Sequence, residues 1–104
     1  MRKIEALMNA AIENGKDWKN GNTEVVHNNG LAEVYLYSRL IAEIGEQFIR
    51  LSDGNYRSTT TKSRLNAILQ GNGTGDEKVY QKKGNWLIAY DGKVETFANG
   101  VTLR

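Results

Sequence analysis

Short runs of alternating apolar and polar residues in this chain are separated by residue pairs suited to tight turns. Proline is absent, whereas glycine and asparagine each occur eleven times. A pair such as Asn29-Gly30 adopts positive φ easily and favours a type I′ turn, which joins neighbouring antiparallel strands. Similar pairs recur at Asp53-Gly54, Lys83-Gly84, Asp91-Gly92 and Asn99-Gly100. A chain with turns at these intervals is expected to fold mainly as antiparallel hairpins.

The runs between the turns predict the strands. Their alternation places strands over residues 23–27, 31–37, 39–44, 47–51, 79–82, 85–90, 93–97 and 101–103. In the second run, Ala32, Val34 and Leu36 share one side, which we assign to the core. Tyr35 and Tyr37 lie on the opposite side. Exposed there, they would be anchors for a protein partner, and cover by a helix is the alternative.

Helical periodicity predicts two helices, at residues 3–14 and 60–70. The second helix is expected to have a threonine N-cap and to end at Gly71. Its apolar stripe consists of Leu65, Ile68 and Leu69. The polar segment around Trp18 is predicted to be a loop.

Together these elements predict an α+β fold. We expect residues 1–104 to form a single domain that has two helices and a curled, mostly antiparallel sheet of about six to eight short strands. The hairpins on either side of the second helix are candidates for two halves of one sheet. A chain of 104 residues with 39% hydrophobic and 25% charged residues can bury a core of its own.

Composition excludes several classes of site. Cysteine is absent, so disulfides, thiol nucleophiles and cysteine-based zinc sites are impossible. No apolar run approaches the roughly 18 residues of a membrane span, and no signal peptide is visible. We therefore expect a cytoplasmic protein without a membrane partner. The net charge of +2 divides into −2 for residues 1–56 and +4 for residues 57–104. A polyanion is thus expected to prefer the second part.

No catalytic pattern is evident. The single histidine, His27, flanks a predicted turn without an adjacent nucleophile or carboxylate cluster. Acidic residues are scattered along the chain. The glycine-rich stretch 71–75 follows a helix and precedes a strand, which is the reverse of the order in a phosphate-binding loop. We therefore predict a protein that is not an enzyme and that uses no cofactor or metal.

The start of the second helix is a candidate binding surface. Arg57, Lys62 and Arg64 surround a helix N-terminus, whose free N–H groups and dipole suit an anion. Tyr56 is placed to stack on a nucleic-acid base or to contact a protein partner. The alternative is a capped helix start whose basic side chains are simply solvated.

A second basic spot lies in the hairpin after this helix. Lys78, Tyr80 and Lys82 share one strand face, and Lys83 and Trp86 follow. Interleaved lysines and aromatic rings on a sheet are typical of proteins that hold single-stranded nucleic acid. Lysines at a hairpin tip also protect a sheet edge from aggregation, which is the alternative.

Three segments resemble small proteins encoded by tailed bacteriophages. The first runs from Tyr56 to Leu69 and contains Ser-Thr-Thr-Thr-Lys-Ser-Arg-Leu-Asn-Ala. The others are residues 34–42 and the Gln-Lys-Lys-Gly-Asn-Trp hairpin at 81–86. The resemblance as a whole covers roughly residues 23–90. It implies a small phage protein made inside a bacterium, and no functional residue carries over. Such proteins often bind and block a host machine, including defence systems such as CRISPR.

The leading hypothesis is a phage-type protein that binds, and inhibits or modulates, a host bacterial protein. The residues predicted to contact this partner are Tyr35, Tyr37, Tyr56, Arg57, Lys62 and Arg64. A nucleic-acid-binding module is the alternative, and a self-associating virion or assembly component is a third. The residues predicted for nucleic-acid binding are Arg57, Lys62, Arg64, Lys78, Tyr80, Lys82, Lys83 and Trp86.

Overall fold

The computed structural model describes residues 1–104 and contains two helices and nine strands. The helices are α1 (Lys3–Glu13) and α2 (Thr59–Asn72). The strands are β1 (Trp18–Asn20), β2 (Thr23–Asn28), β3 (Leu31–Leu36), β4 (Arg39–Ile44), β5 (Ile49–Leu51), β6 (Lys78–Lys82), β7 (Asn85–Tyr90), β8 (Lys93–Thr96) and β9 (Val101–Leu103). All strand pairs are antiparallel, so the predicted α+β class is confirmed. Neither helix has the length and apolar character needed to cross a bilayer.

The strands form two sheets, which corrects the expectation of one. Six strands lie in the order β1-β2-β3-β4-β5-β9, and three in the order β6-β7-β8. The Asn66 side chain of α2 separates them at one edge. Its Nδ2 donates to the Val79 carbonyl and its Oδ1 accepts from the Val79 N–H, each at 2.8 Å. Because a side chain takes these groups, no strand pairs with β6 on that side.

The core lies on one face of the six-stranded sheet, where both helices pack. The predicted inward side of β3, marked by Val34, is buried, whereas the opposite side, marked by Tyr35, is partly exposed. The predicted stripe of α2 is fully buried, as the sequence indicated. Asn66 holds the three-stranded sheet on one side of α2, while Arg64 contacts Thr23 of the large sheet on the other. Helix α2 therefore lies between the two sheets.

Several predicted boundaries are wrong for identifiable reasons. The segment around Trp18 forms strand β1, because it pairs with β2 across from Val25. The N-cap of α2 is Ser58, whose Oγ accepts from the Thr61 N–H at 3.1 Å. Gly71 lies inside α2. A Cβ there would lie 2.5 Å from Nδ2 of Asn9, so this glycine permits close packing against α1.

Candidate functional site

The structure separates the two arginines that the sequence placed in one basic cluster. Arg64 is only 3% exposed. Its Nη1 donates to Glu5 Oε2 at 2.8 Å, its Nε to Thr23 Oγ1 at 3.0 Å and its Nη2 to Asn22 Oδ1 at 3.2 Å. These donors are used inside the protein. The prediction that Arg64 faces a phosphate or a partner at the surface is therefore corrected.

Glu5 is the buried partner of Arg64, and this role was not predicted from the sequence. Its Oε2 also accepts from Ser63 Oγ at 2.5 Å. Burial alone raises the pKa of Glu5, but hydrogen bonds from Ser63, the Arg2 N–H and Arg64 outweigh it and hold the pKa below 4.5. A signal was present, because Glu5 lies three residues before buried Met8 on the same helix face.

Arg57 packs over aromatic rings and remains partly exposed. Its guanidinium carbon lies 5.2 Å from the centroid of the Trp86 ring, and its Nε donates to Asp53 Oδ2 at 2.9 Å. Burial alone raises the pKa of Asp53, but hydrogen bonds from Arg57 and the Asn55 N–H outweigh it and hold the pKa below 3.8. Lys62 also covers Trp86, with Nζ 5.7 Å from the ring centroid.

Trp86 is therefore part of the core. It is 3% exposed and makes an edge-to-face contact with Phe97, with ring centroids 5.7 Å apart. The prediction that its ring offers a stacking surface to a nucleic-acid base is corrected, because alternation turns it inward. Within β7, Trp86 and Ile88 are buried, whereas Leu87 between them is partly exposed.

The other residues of the second basic spot share an open sheet face. Lys78, Tyr80 and Lys82 alternate along β6 and point away from buried Val79. The lysines are exposed, and Tyr80 is half-buried opposite Leu87 of β7. Lys83 lies in the exposed turn between these strands, with a φ of 52°. The predicted sharing of one face by Lys78, Tyr80 and Lys82 is confirmed.

Tyr35 lies on the open face of the six-stranded sheet, away from the other tyrosines. Its hydroxyl donates to Glu33 Oε1 at 3.4 Å, and Glu24 and Glu43 lie on the neighbouring strands. Burial, followed by the negative charges of these glutamates, raises the pKa of Tyr35 above 10.0. Tyr35 therefore belongs to an acidic surface.

Tyr37 lies in the turn between β3 and β4, and this corrects its predicted place in the strand. Tyr37 and Ser38 have φ values of 51° and 64°. Every other two-residue turn between strands contains a glycine. Positive φ costs an L-residue about 1–2 kcal/mol, and a bulky residue in this region is unusual. Nevertheless the Tyr37 side chain is directed outward, with the residue 61% exposed.

Tyr37 and Tyr56 meet at a pocket of about 430 Å³, which we call the tyrosine pocket. Its lining residues are Leu36, Tyr37, Arg39, Ile41, Asp53, Gly54, Tyr56 and Thr61. Tyr56 is 63% exposed, whereas Leu36 and Ile41 are buried and form an apolar floor. The register between β3 and β4 shifts beside Tyr35, which leaves Ile41 as the extra residue of a bulge. Bulges often redirect side chains in this way.

Two polar contacts hold the rim of the tyrosine pocket. Arg39 Nη1 donates to the Gly54 carbonyl at 3.1 Å, and Thr61 Oγ1 donates to the Tyr56 carbonyl at 3.0 Å. Arg39 was not predicted, because no sequence pattern connects the β3–β4 turn with the segment before α2. Of the six predicted partner-binding residues, the pocket brings together Tyr37 and Tyr56.

The candidates for catalysis remain apart. The His27 ring is tied to Asp17, with Nδ1 3.3 Å from Oδ1, and the Asp17 carboxylate also accepts from the His27 N–H at 2.7 Å. The carboxylate of Glu77 accepts from the Thr74 N–H at 3.0 Å and from the Gly75 N–H. These groups stabilise loops. No group of three or more histidine and acidic side chains is positioned to hold a metal ion.

These features define a small α+β protein with an aromatic pocket between a strained turn and a helix start. A family model described as Kyanoviridae Gp96 protein matches residues 1–104. The chain therefore belongs to this family of bacteriophage proteins. The match confirms the resemblance to phage proteins, although it does not test the segments that suggested it. No curated protein and no solved structure matches the chain.

Proposed function

We propose that this phage protein acts without catalysis by binding a protein of the bacterial host through the tyrosine pocket, thereby inhibiting or modulating it. The observation that carries the proposal is the conformation of Tyr37. A bulky residue is held at a φ of 51° in a turn where asparagine or glycine would be relaxed. Backbone strain of this kind concentrates at functional sites.

The composition of the pocket supports a protein partner. Exposed tyrosines supply large contact areas at low entropic cost and are enriched among the residues that dominate binding energy. The floor of Leu36 and Ile41 suits an apolar side chain of the partner. Arg39 and the tyrosine hydroxyls surround it with hydrogen-bond donors. We propose that the target is cytoplasmic, and defence systems such as CRISPR are among the candidates.

The test is affinity capture from a nuclease-treated lysate of the bacterial host, followed by mass spectrometry. Tyr37→Asn and Tyr56→Ser each remove a ring from the rim, and Ser38→Gly is the matched control, because it relaxes the same turn without touching either ring. We expect one stoichiometric partner with the wild-type protein and with Ser38→Gly, and a loss of at least tenfold with either tyrosine variant, which is about 1.4 kcal/mol. Equal capture by all four proteins would contradict the proposal.

The open face of the three-stranded sheet favours single-stranded nucleic acid as a second candidate ligand. Lys78, Tyr80 and Lys82 lie together on this face. Arg64 and Trp86, which were also predicted to bind nucleic acid, are buried. Binding of a fluorescent oligothymidylate should weaken steeply with salt, because each phosphate contact releases counterions. Lys78→Glu and Lys82→Glu should weaken it further, whereas Lys16→Glu, outside this sheet, should not. A response independent of salt would exclude this function.

A further inference from the structure

Strand β8 is an unprotected sheet edge. It is the outer strand of the three-stranded sheet, and all four of its residues are exposed. Val94 is 56% exposed, whereas the other valine of this sheet, Val79, is 1% exposed. The opposite edge is partly covered, because the Asn66 side chain takes the backbone groups of Val79 in β6. The β8 edge therefore offers unused backbone hydrogen bonds along its length, whereas Asn66 occupies part of the β6 edge.

The hydrogen-bond alternation shows which groups are unused. The Phe97 N–H donates to the Trp86 carbonyl at 2.9 Å, so Phe97 faces β7. In an antiparallel pair this direction alternates along the strand. Glu95 and Lys93 therefore also bond to β7, whereas the N–H and C=O groups of Val94 and Thr96 point away from the sheet. These are the groups that an added strand would meet.

We propose that β8 pairs with β8 of a second copy of this chain around a two-fold axis. Two registers satisfy the hydrogen-bond alternation and pair three residues of β8 with three of the second copy. One is centred on Val94 and sets Lys93 opposite Glu95 of the second copy, twice by symmetry. The other is centred on Glu95 and sets two Glu95 carboxylates against each other. Because opposite charges across strands stabilise a pair and like charges destabilise it, the Val94 register is selected.

The Val94 register also gives the side chains on each face of β8 a matching contact in the second copy. Val94 packs against Val94 of the second copy on one face, and the Lys93–Glu95 pairs lie on the other beside Tyr90. Tyr90 already positions both charged side chains: Lys93 Nζ lies 4.8 Å from its ring centroid, and its hydroxyl donates to Glu95. The product is one continuous sheet of two three-stranded halves. A two-fold axis is the commonest symmetry of homodimers. Pairing at a sheet edge is a recurring mode of recognition.

Sedimentation equilibrium of the full chain tests the dimer, with Val94→Pro as the first variant. Proline removes the Val94 N–H, which points out of the sheet, so the bonds between β7 and β8 remain. We expect a concentration-dependent dimer for the wild-type protein and a monomer for Val94→Pro. A wild-type protein that remains monomeric at millimolar concentration would overturn the proposal. It would do so even if a strand of another protein pairs with this edge. A dimer unaffected by Val94→Pro would also overturn it.

Variants that exchange the charges of Lys93 and Glu95 test the same dimer if Val94→Pro fails to fold. Lys93→Glu and Glu95→Lys each place like charges opposite each other twice, so each should raise the dimer dissociation constant by about tenfold. The double variant restores opposite charges across the two-fold axis and should restore the dissociation constant. Lys82→Glu, in the same sheet but on β6, is the control for charge. Failure of the double variant to restore dimerisation would overturn the register.

Discussion

The two ends of strand β3 show two ways of building the same tight turn. At one end, Asn29 and Gly30 have φ values of 52° and 82°. Both residue types accept these values cheaply. At the other end, Tyr37 and Ser38 have equally positive φ values of 51° and 64°. Neither residue type favours them. The first turn is encoded locally, and the second is imposed by its surroundings.

A chain of hydrogen bonds connects the Tyr37 turn to the buried pair of Glu5 and Arg64. The Tyr37 N–H donates to the Asn22 carbonyl at 2.8 Å. The Asn22 side chain accepts from Arg64, whose guanidinium is held by Glu5. No such chain of contacts supports the exposed Asn29–Gly30 turn. A strained turn that displays an aromatic ring therefore depends on a fixed internal support, whereas a relaxed turn needs none.

The largest expected effect comes from removing the internal support. Arg64→Met leaves Glu5 buried and unpaired, so we expect a loss of about 3–5 kcal/mol in the free energy of unfolding. Urea denaturation followed by circular dichroism measures it. Arg57→Met is the comparison, because the Arg57 side chain is 41% exposed in its salt bridge with Asp53 and its removal should cost less than that of Arg64. Equal losses in the two variants would show that Arg64 does not support the turn through a buried pair.

The next effect is a pH dependence that comes from Glu5. Because its folded-state pKa is below 4.5, the charged form stabilises the fold above that pH, and this contribution is lost as pH falls through the folded-state pKa. Glu5→Gln should cost about 3 kcal/mol at neutral pH, since it leaves the buried Arg64 guanidinium without a charged partner. It should also flatten the acid limb of stability measured by urea denaturation between pH 5 and pH 2. Glu13→Gln, at an exposed position of the same helix, should leave the loss of stability at acid pH unchanged. A smaller loss in this variant would contradict the assignment of the pH dependence to Glu5.

The relaxed turn can be strained by Gly30→Ala. A Cβ at this position meets nothing within 4 Å, so the change tests backbone conformation alone. The φ of 82° should then cost about 1 kcal/mol, because the left-handed region disfavours alanine. Thermal unfolding measures the change in melting temperature. An unchanged melting temperature would mean that the turn shifts without cost.

The strained turn can be relaxed by Ser38→Gly, which should have the smallest effect and the opposite sign. We expect a gain of about 0.5–1 kcal/mol, because relief of the left-handed strain exceeds the added entropy of the unfolded chain. Urea denaturation of this variant beside Gly30→Ala would give changes of opposite sign. A loss of stability would show that the Ser38 side chain contributes more than its backbone costs.

Local patterns predicted much of the fold because each element carried its own signal. The turns at Asn29–Gly30, Lys83–Gly84 and Asp91–Gly92 all have positive φ, as their residue types indicated. The inward face of β3 and the buried stripe of α2 followed from periodicity of two and of 3.6 residues. The alternation of Lys78, Tyr80 and Lys82 on one face followed for the same reason.

The candidate site was predictable only in part. Tyr37 and Tyr56 were selected as exposed aromatic residues, but their meeting around one pocket depends on how β4 and the segment before α2 pack together. Arg39 joins them for the same reason. The sequence does not distinguish the roles of Arg57 and Arg64. Arg57 covers Trp86 near the surface, whereas Arg64 is buried against Glu5.

The sequence by itself determined the turns, the periodicity of strands and helices, and hence the α+β class. These properties depend on φ preferences and on which side of an element is apolar, and neighbouring residues carry both. Only the tertiary structure decided that α2 separates two sheets, that Arg64 is internal and that Tyr37 is held in a strained turn. Each of these depends on contacts between residues more than ten positions apart, such as Glu5 with Arg64 and the Asn66 side chain with the Val79 backbone. A local pattern carries no information about such contacts.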